Sequence, residues 1–227
     1  MTDNKSDFST DSWDPRKAYK DKKIADNYDA MRFTSLTGRW GDFKEKHAFS
    51  HALDRIPQVR TALDAPCGTG RMTEVLLKRG LEVTGGDISR EMMEHAKFKL
   101  HPFANRLKLE QVDLAALLFD SESFDLVTCV RLFGHFPSPK RVEMLKEMSR
   151  VTKRWVIVQY FCETRITMAK RWIKRNVLHT YEGVVHPVSE HVMIDELHQA
   201  GLIEEGRFWS RHYYSEEVFL LCSKGQL

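Results

Sequence analysis

The sequence lacks any run close to the ~20 consecutive apolar residues that a membrane-spanning helix needs, so no transmembrane helix is expected. Cysteine is scarce: Cys67, Cys129, Cys162 and Cys222 are the only four in 227 residues, and none stand in C-x-x-C spacing. This argues against a disulfide framework or a zinc ribbon and for a reduced, cytoplasmic chain. Neither sign of charge dominates, with 35 Lys and Arg against 32 Asp and Glu, so net charge points to no polyanionic partner, and no nucleic-acid partner is expected. Residues 1–14 are polar and acid-biased, unlike a secretory or mitochondrial leader, and are expected to be disordered. No internal repeat, low-complexity tract or second domain is visible. The dinucleotide fingerprint G-x-G-x-x-G and the phosphate loop G-x-x-x-x-G-K-S/T are missing as well.

What is present centres on Thr61-Ala62-Leu63-Asp64-Ala65-Pro66-Cys67-Gly68-Thr69-Gly70-Arg71. It reads as a short apolar strand ending at an acid, a loop of small residues, and a helix from Arg71 to Arg79 closed by Gly80. Gly68 and Gly70 let the backbone approach a ligand closely, because glycine has no Cβ and tolerates positive φ. The helix that follows offers unpaired N–H groups at its start. An elongated, nucleotide-like cofactor can lie across such a junction.

Further acids follow in the same register. Leu81 to Asp87 is a second strand ending in an acid, followed by Ile88 and by Ser89, which can cap a helix. Asp87 lies about twenty residues after the glycine loop, the offset at which a carboxylate reaches ribose hydroxyls. Leu107 to Asp113 is a third strand ending in an acid, and Phe124 to Val130 a fourth, running into Arg131-Leu132-Phe133-Gly134-His135-Phe136. Together these segments resemble the class I S-adenosylmethionine-dependent methyltransferases, whose first motif reads acid-x-x-x-G-x-G. The closest pattern is that of the ubiquinone/menaquinone-biosynthesis group (methyltransferase type 11), over roughly Tyr28 to Lys224.

The alternation of strands and helices already predicts an α/β chain with a largely parallel sheet. The resemblance implies more: a single Rossmann-like, doubly wound domain over residues 15–227, with helices on both faces. Its seven strands would run in the order 3-2-1-4-5-7-6, strand 7 antiparallel. The implied cofactor is S-adenosyl-L-methionine. Asp64 would meet its methionine amine, Gly68 and Gly70 would make room for it, Asp87 would accept the ribose hydroxyls and Asp113 the adenine amine. Ile88, Leu114 and Val130 adjoin these strand ends and belong to the same implied site. Cys67 stands where many relatives have glycine and reads as steric filling, since no neighbouring base would lower its pKa. In the quinone-methylating relatives an arginine before the next helix meets the cofactor's carboxylate; Arg39 resembles it, with Arg32 as rival.

Ahead of the motif, Asp14-Pro15 starts a helix reaching Arg32. Tyr28-Asp29-x-x-Arg32-Phe33 resembles the family's N-terminal lid, expected over residues 15–57; a docked surface helix is the alternative. Thr37-Gly38-Arg39-Trp40 is read as a break, after which Asp42 to Arg55 is helical with Phe43, Phe49, Leu53 and Ile56 facing a core. His47 and His51 share a helix face but have no third ligand, so no metal site is expected. Beyond the fourth strand come a helix from Ser138 to about Arg150, a strand to Phe161, an inserted helix and loop over 164–187, a helix capped by Ser189 and stopped at Gly201, and two closing strands.

Acceptor chemistry is read mostly by exclusion. The Asp/Asn/Ser-Pro-Pro-aromatic motif of base-amine methyltransferases is replaced here by Val130-Arg131-Leu132-Phe133, and no glutamate pair marks arginine methylation. A small-molecule acceptor remains, methylated on O, C or N, with Tyr28, Tyr160, Trp172 and Tyr181 as candidate pocket residues. His135 is either a general base or a residue that fixes its loop. The inserted helix carries Ile166, Ala169, Ile173 and Val177 on one stripe among basic residues. That pattern suits a lid over an acceptor pocket or a peripheral contact of 165–177 with an anionic membrane. Three functions therefore stand: a small-molecule methyltransferase, a membrane-surface methyltransferase acting on a lipid or quinone head group, and a non-catalytic cofactor-binding partner subunit. Oligomeric state is not legible.

Overall fold

The computed structural model describes residues 35–176, 187–210 and 216–225. The expected N-terminal segment with Tyr28 and Arg32, and Tyr181 of the expected loop after the inserted helix, lie outside the described residues.

The described chain opens on helix α1 (Leu36–Leu53), whose N-cap Ser35 accepts the Gly38 N–H at 3.0 Å. That cap corrects the expected break at Thr37 to Trp40, which instead form the first turns of one continuous helix. An interior glycine costs about 1 kcal/mol relative to alanine, a penalty of the same size as the capping bond offsets. Phe49, Leu53 and Ile56 are buried as expected, but Phe43 is 60% exposed.

Strands β1 (Thr61–Asp64), β2 (Glu82–Asp87), β3 (Leu107–Gln111), β4 (Phe124–Cys129), β5 (Thr152–Phe161), β6 (Leu202–Trp209) and β7 (Glu217–Lys224) form one sheet in the order β3-β2-β1-β4-β5-β7-β6. The first five are mutually parallel, and β7 runs antiparallel to both β5 and β6. Helices α2 (Arg71–Lys78), α3 (Arg90–Lys99), α4 (Ser138–Val151), α5 (Arg165–Asn176) and α6 (Glu190–Gln199) fill the connections.

Successive strand side chains point to opposite faces, and this divides the core in two. Ala62, Leu126, Ile157, Phe219 and Leu221 pack with α1, α2 and α3 through Phe49, Leu76, Leu77 and Ala96. Leu63, Val127, Cys129, Val156, Val158 and Leu220 pack with α4 and α6 through Leu145, Met148, Met193 and Leu197. Both faces of the sheet are therefore covered at its centre, where β4, β5 and β7 carry runs of apolar residues. All four cysteines are free and buried. Among the described residues, no helix is long and apolar enough to cross a membrane.

Candidate active site

A cleft opens at the carboxyl ends of β1, β2 and β4, with about 760 Å³ of space out to its mouth. This is the edge where open α/β sheets take ligands. The loop after β1 forms one wall, held by two neighbouring strands: Ala65 N–H donates to Thr128 O at 2.9 Å, and Cys67 N–H to Gly86 O at 2.8 Å. Of the expected site residues, Asp64, Cys67, Gly68, Asp87, Ile88 and Val130 all line the cleft.

Asp64 is its acidic floor. The carboxylate is 1% exposed, and each oxygen accepts a hydroxyl, from Thr73 at 2.6 Å and Thr128 at 2.7 Å. Burial pushes its pKa up to about 6; the two hydroxyls oppose that rise and the nearby Asp87 adds to it. Both partners are neutral, so the ionised acid would gain from a cation delivered by a ligand. Asp87 accepts Gly68 N–H at 2.8 Å on one oxygen and Ser89 N–H at 2.9 Å on the other. Burial raises its pKa too, against those backbone bonds.

Gly68 and Gly70 both have positive φ, of 54° and 81°, but they do different things. A Cβ on Gly68 would meet no heavy atom within 4 Å, leaving space on the cleft side of the loop. A Cβ on Gly70 would stand 2.7 Å from Leu100 Cδ1 and 3.3 Å from Ala96 Cβ. Gly70 thus admits the end of α3 rather than a ligand, which corrects its expected role. Burial, with Asp87 and Asp64 nearby, pushes the Cys67 thiol pKa well up, the reverse of an activated nucleophile.

Other expected residues stand elsewhere. Arg39 is exposed in the first turns of α1 and is absent from the cleft wall. Strand β3 ends at Gln111, two residues short of Asp113, whose Oδ1 accepts Ala115 N–H at 2.9 Å. Leu114 is buried in the core. His135 closes a short 3-10 turn (Phe133–His135) beyond the cleft wall, its N–H donating to Leu132 O at 3.0 Å. Tyr160 is interior: its hydroxyl donates to Glu196 Oε2 at 2.7 Å, and Glu196 also holds Arg141. Trp172 is 62% exposed on α5, together with Ile166, Met168 and Ile173, while Thr167 is buried. Of the apolar stripe expected to pack as a lid, Ile166, Ala169 and Ile173 are exposed, and Val177 lies outside the described residues.

Sequence reading also missed a polar cluster on the cleft wall. Arg71 and Arg131 both line the cleft, and both are held by Glu45 of α1, which has no exposed surface. A buried acid in the middle of a helix and an arginine directly after β4 were the available signals.

Residues 62–154 match the family described as a methyltransferase domain. Over those residues the chain is similar to a methyltransferase domain. It is 30% identical over 138 residues to a ubiquinone biosynthesis O-methyltransferase of Coxiella burnetii, covering 56% of this chain and 58% of that protein. A protein of the same name from Nitrosomonas europaea is 29% identical over 146 residues, covering 58% of this chain and 61% of that one. The chain thus spans about 58% of the length of the first of these curated relatives. In fold, the chain is similar to magnesium protoporphyrin IX methyltransferase from Synechocystis PCC 6803, crystallised with bound SAH, at a TM-score of 0.73 and 17% identity over 92% of this chain and 98% of that one.

Proposed function

We propose that this chain binds S-adenosyl-L-methionine and methylates a small-molecule acceptor, on O, C or N, in the cytoplasm. The observation that carries the reading is the cleft itself: Asp64 on its floor, Asp87 at the end of the next strand, and an open Gly68 between them. The residues fit the cofactor. Asp64 suits an ammonium, because its buried carboxylate is met by neutral donors, the Thr73 and Thr128 hydroxyls and the Thr73 backbone. Asp87 stands at ribose distance along the chain, and Gly68 leaves space for a ligand beside the loop. The sulfonium of the bound cofactor supplies an already activated methyl group. What remains for the protein is to orient the acceptor and exclude water. Asp113 and Leu114, just past β3, complete the adenine side in this reading. His135 fixes its turn rather than moving a proton. The names of the relatives, O-methyltransferases of a quinone pathway and a porphyrin methyltransferase, support a small-molecule acceptor.

Calorimetric titration with S-adenosylmethionine and S-adenosylhomocysteine tests the first half. Turnover to S-adenosylhomocysteine with a panel of phenols, quinol precursors and carboxylic acids tests the second. Absence of binding at millimolar ligand would remove the cofactor assignment.

A second reading is favoured by α5. Its sequence holds five basic residues and no acid, and Ile166, Met168, Trp172 and Ile173 are exposed. Such a helix suits an anionic bilayer from which a lipid-like acceptor is drawn. Salt-sensitive co-sedimentation with phosphatidylglycerol vesicles, lost on Trp172→Asp, supports this reading; a protein that stays in the supernatant rejects it.

A further inference from the structure

The residue expected to meet a cofactor's carboxylate, Arg39, is exposed on α1 and outside the cleft. The cleft wall instead holds Arg71 and Arg131. Arg71 is taken up by two acids of α1, Asp42 and Glu45, and its side chain is only 9% exposed. Arg131 is placed differently. It follows directly on Val130 at the end of β4, in a left-handed conformation with φ of 60°. That conformation is unfavourable for a side chain bearing a Cβ and persists where surrounding structure imposes it.

Here the surroundings can be named. Arg131 N–H donates to Gln159 Oε1 at 2.9 Å, and Gln159 Nε2 donates to Glu45 Oε1 at 2.8 Å. Arg131 Nε lies 2.8 Å from Glu45 Oε1, and Nη2 lies 3.3 Å from Glu217 Oε1. The residue is therefore fixed from three elements, its backbone by Gln159 of β5 and its guanidinium by Glu45 of α1 and Glu217 of β7, yet its side chain keeps 23% exposure and lines the cleft. A guanidinium carries five donors and can serve more than one carboxylate, as Arg71 does with Asp42 and Glu45.

Strand order then sets the charge pattern of the cleft. β1 lies between β2 and β4, so Asp87, Asp64 and Arg131 come from three successive strands. Asp64 pairs with Thr128 in register, three residues before Arg131. An acid at the end of β1 and a guanidinium two residues past the end of its neighbour β4 thus line the cleft together, with a second acid at the end of β2. An α-amino acid carries its ammonium and carboxylate on one carbon, and its complement is an acid and an arginine side by side.

We propose that Arg131, positioned by Glu45, binds the carboxylate at the amino-acid end of the cofactor while Asp64 takes the ammonium. This rests on the cofactor reading above. Arg131 acts in place of Arg39, and Glu45 is a positioning residue that acts through it.

The test compares two ligands in each variant: S-adenosylhomocysteine, and 5′-methylthioadenosine, which keeps the adenosine and thioether but has no amino-acid end. Arg131→Met should weaken S-adenosylhomocysteine about tenfold to a hundredfold, the loss of one or two charge-assisted bonds, and leave 5′-methylthioadenosine within about twofold. Arg131→Lys should fall between parent and Arg131→Met. Glu45→Gln should lower the same ratio of affinities by a smaller factor. Because the ratio is read within one protein, general destabilisation cancels from it, and Arg131→Lys serves if Arg131→Met does not fold. An unchanged ratio in the Arg131 variants overturns the assignment and leaves the cofactor reading standing. So does a rise in the acceptor's KM with S-adenosylhomocysteine affinity intact, which would give Arg131 to a carboxylate on the acceptor. A parent protein that binds neither ligand overturns both.

Discussion

The carboxylate of Asp87 accepts the backbone N–H of Gly68 at 2.8 Å, so the acid that ends the second strand also holds the loop that follows the first. On the proposed function, ligand recognition and loop geometry are joined in this one side chain. Asp87→Ala should weaken S-adenosylmethionine on the order of a hundredfold, two charge-assisted bonds being lost. It should also lower Tm, because the N–H groups of Gly68 and Ser89 lose their acceptor. Titration and thermal melting of the same sample check both; full affinity in the variant would place the ribose elsewhere.

Asp64 gives a pH dependence with a definite sign. Its folded pKa of about 6 lies above the ordinary 3.8, so the fold favours the protonated acid. Ionisation therefore begins to cost stability as pH rises past 3.8, and the whole cost, about 3 kcal/mol, stands above 6. Asp64→Asn should raise Tm at pH 8 and have less effect at pH 5, while cofactor binding is lost at both. In the parent, affinity for S-adenosylmethionine should rise between pH 5 and 7, as the carboxylate that faces the ammonium becomes charged. An affinity flat across that range would detach Asp64 from the ligand.

The two loop glycines should separate cleanly. Gly70→Ala forces a Cβ to 2.7 Å from Leu100 Cδ1 at a φ of 81°, and should destabilise the protein by about 2 kcal/mol or more. Gly68→Ala meets no atom within 4 Å, so only its backbone conformation is penalised, by about 1 kcal/mol. Its added methyl group should instead reduce cofactor affinity. Urea midpoints and calorimetry of the pair decide between these roles, and equal loss of affinity in both would restore Gly70 to the ligand.

Tyr160 should behave as a core residue. Its hydroxyl and the Arg141 guanidinium converge on Glu196, which has no exposed surface. Tyr160→Phe should cost about 1–1.5 kcal/mol of stability and leave the acceptor's KM unchanged. Glu196→Ala, which strands a buried arginine, should cost about 3–5 kcal/mol. A change in KM for Tyr160→Phe at full stability would return the residue to an acceptor pocket.

Much of the fold was legible because its determinants are local. The β1 segment ending at Asp64, the small-residue loop and the capped helix starts at Ser89 and Ser189 are each written within a few consecutive residues, where side-chain alternation, glycine and capping hydroxyls act. The start of α1 is an exception: Gly38 reads as a breaker, yet the local cap at Ser35 starts a helix that runs straight through it.

Three assignments could not be made this way, and for one reason. Glu45 meets Gln159 across 114 residues and Arg131 across 86; Tyr160 meets Glu196 across 36. Each pairing depends on a sheet whose spatial order, β3-β2-β1-β4-β5-β7-β6, is not its chain order. The sequence by itself determined that acids would end successive strands beside a glycine loop, because strand ends and loops are local events. Only the tertiary structure decided which arginine reaches the cleft and which tyrosine is interior. Those choices are made by the neighbours that a non-sequential sheet brings together.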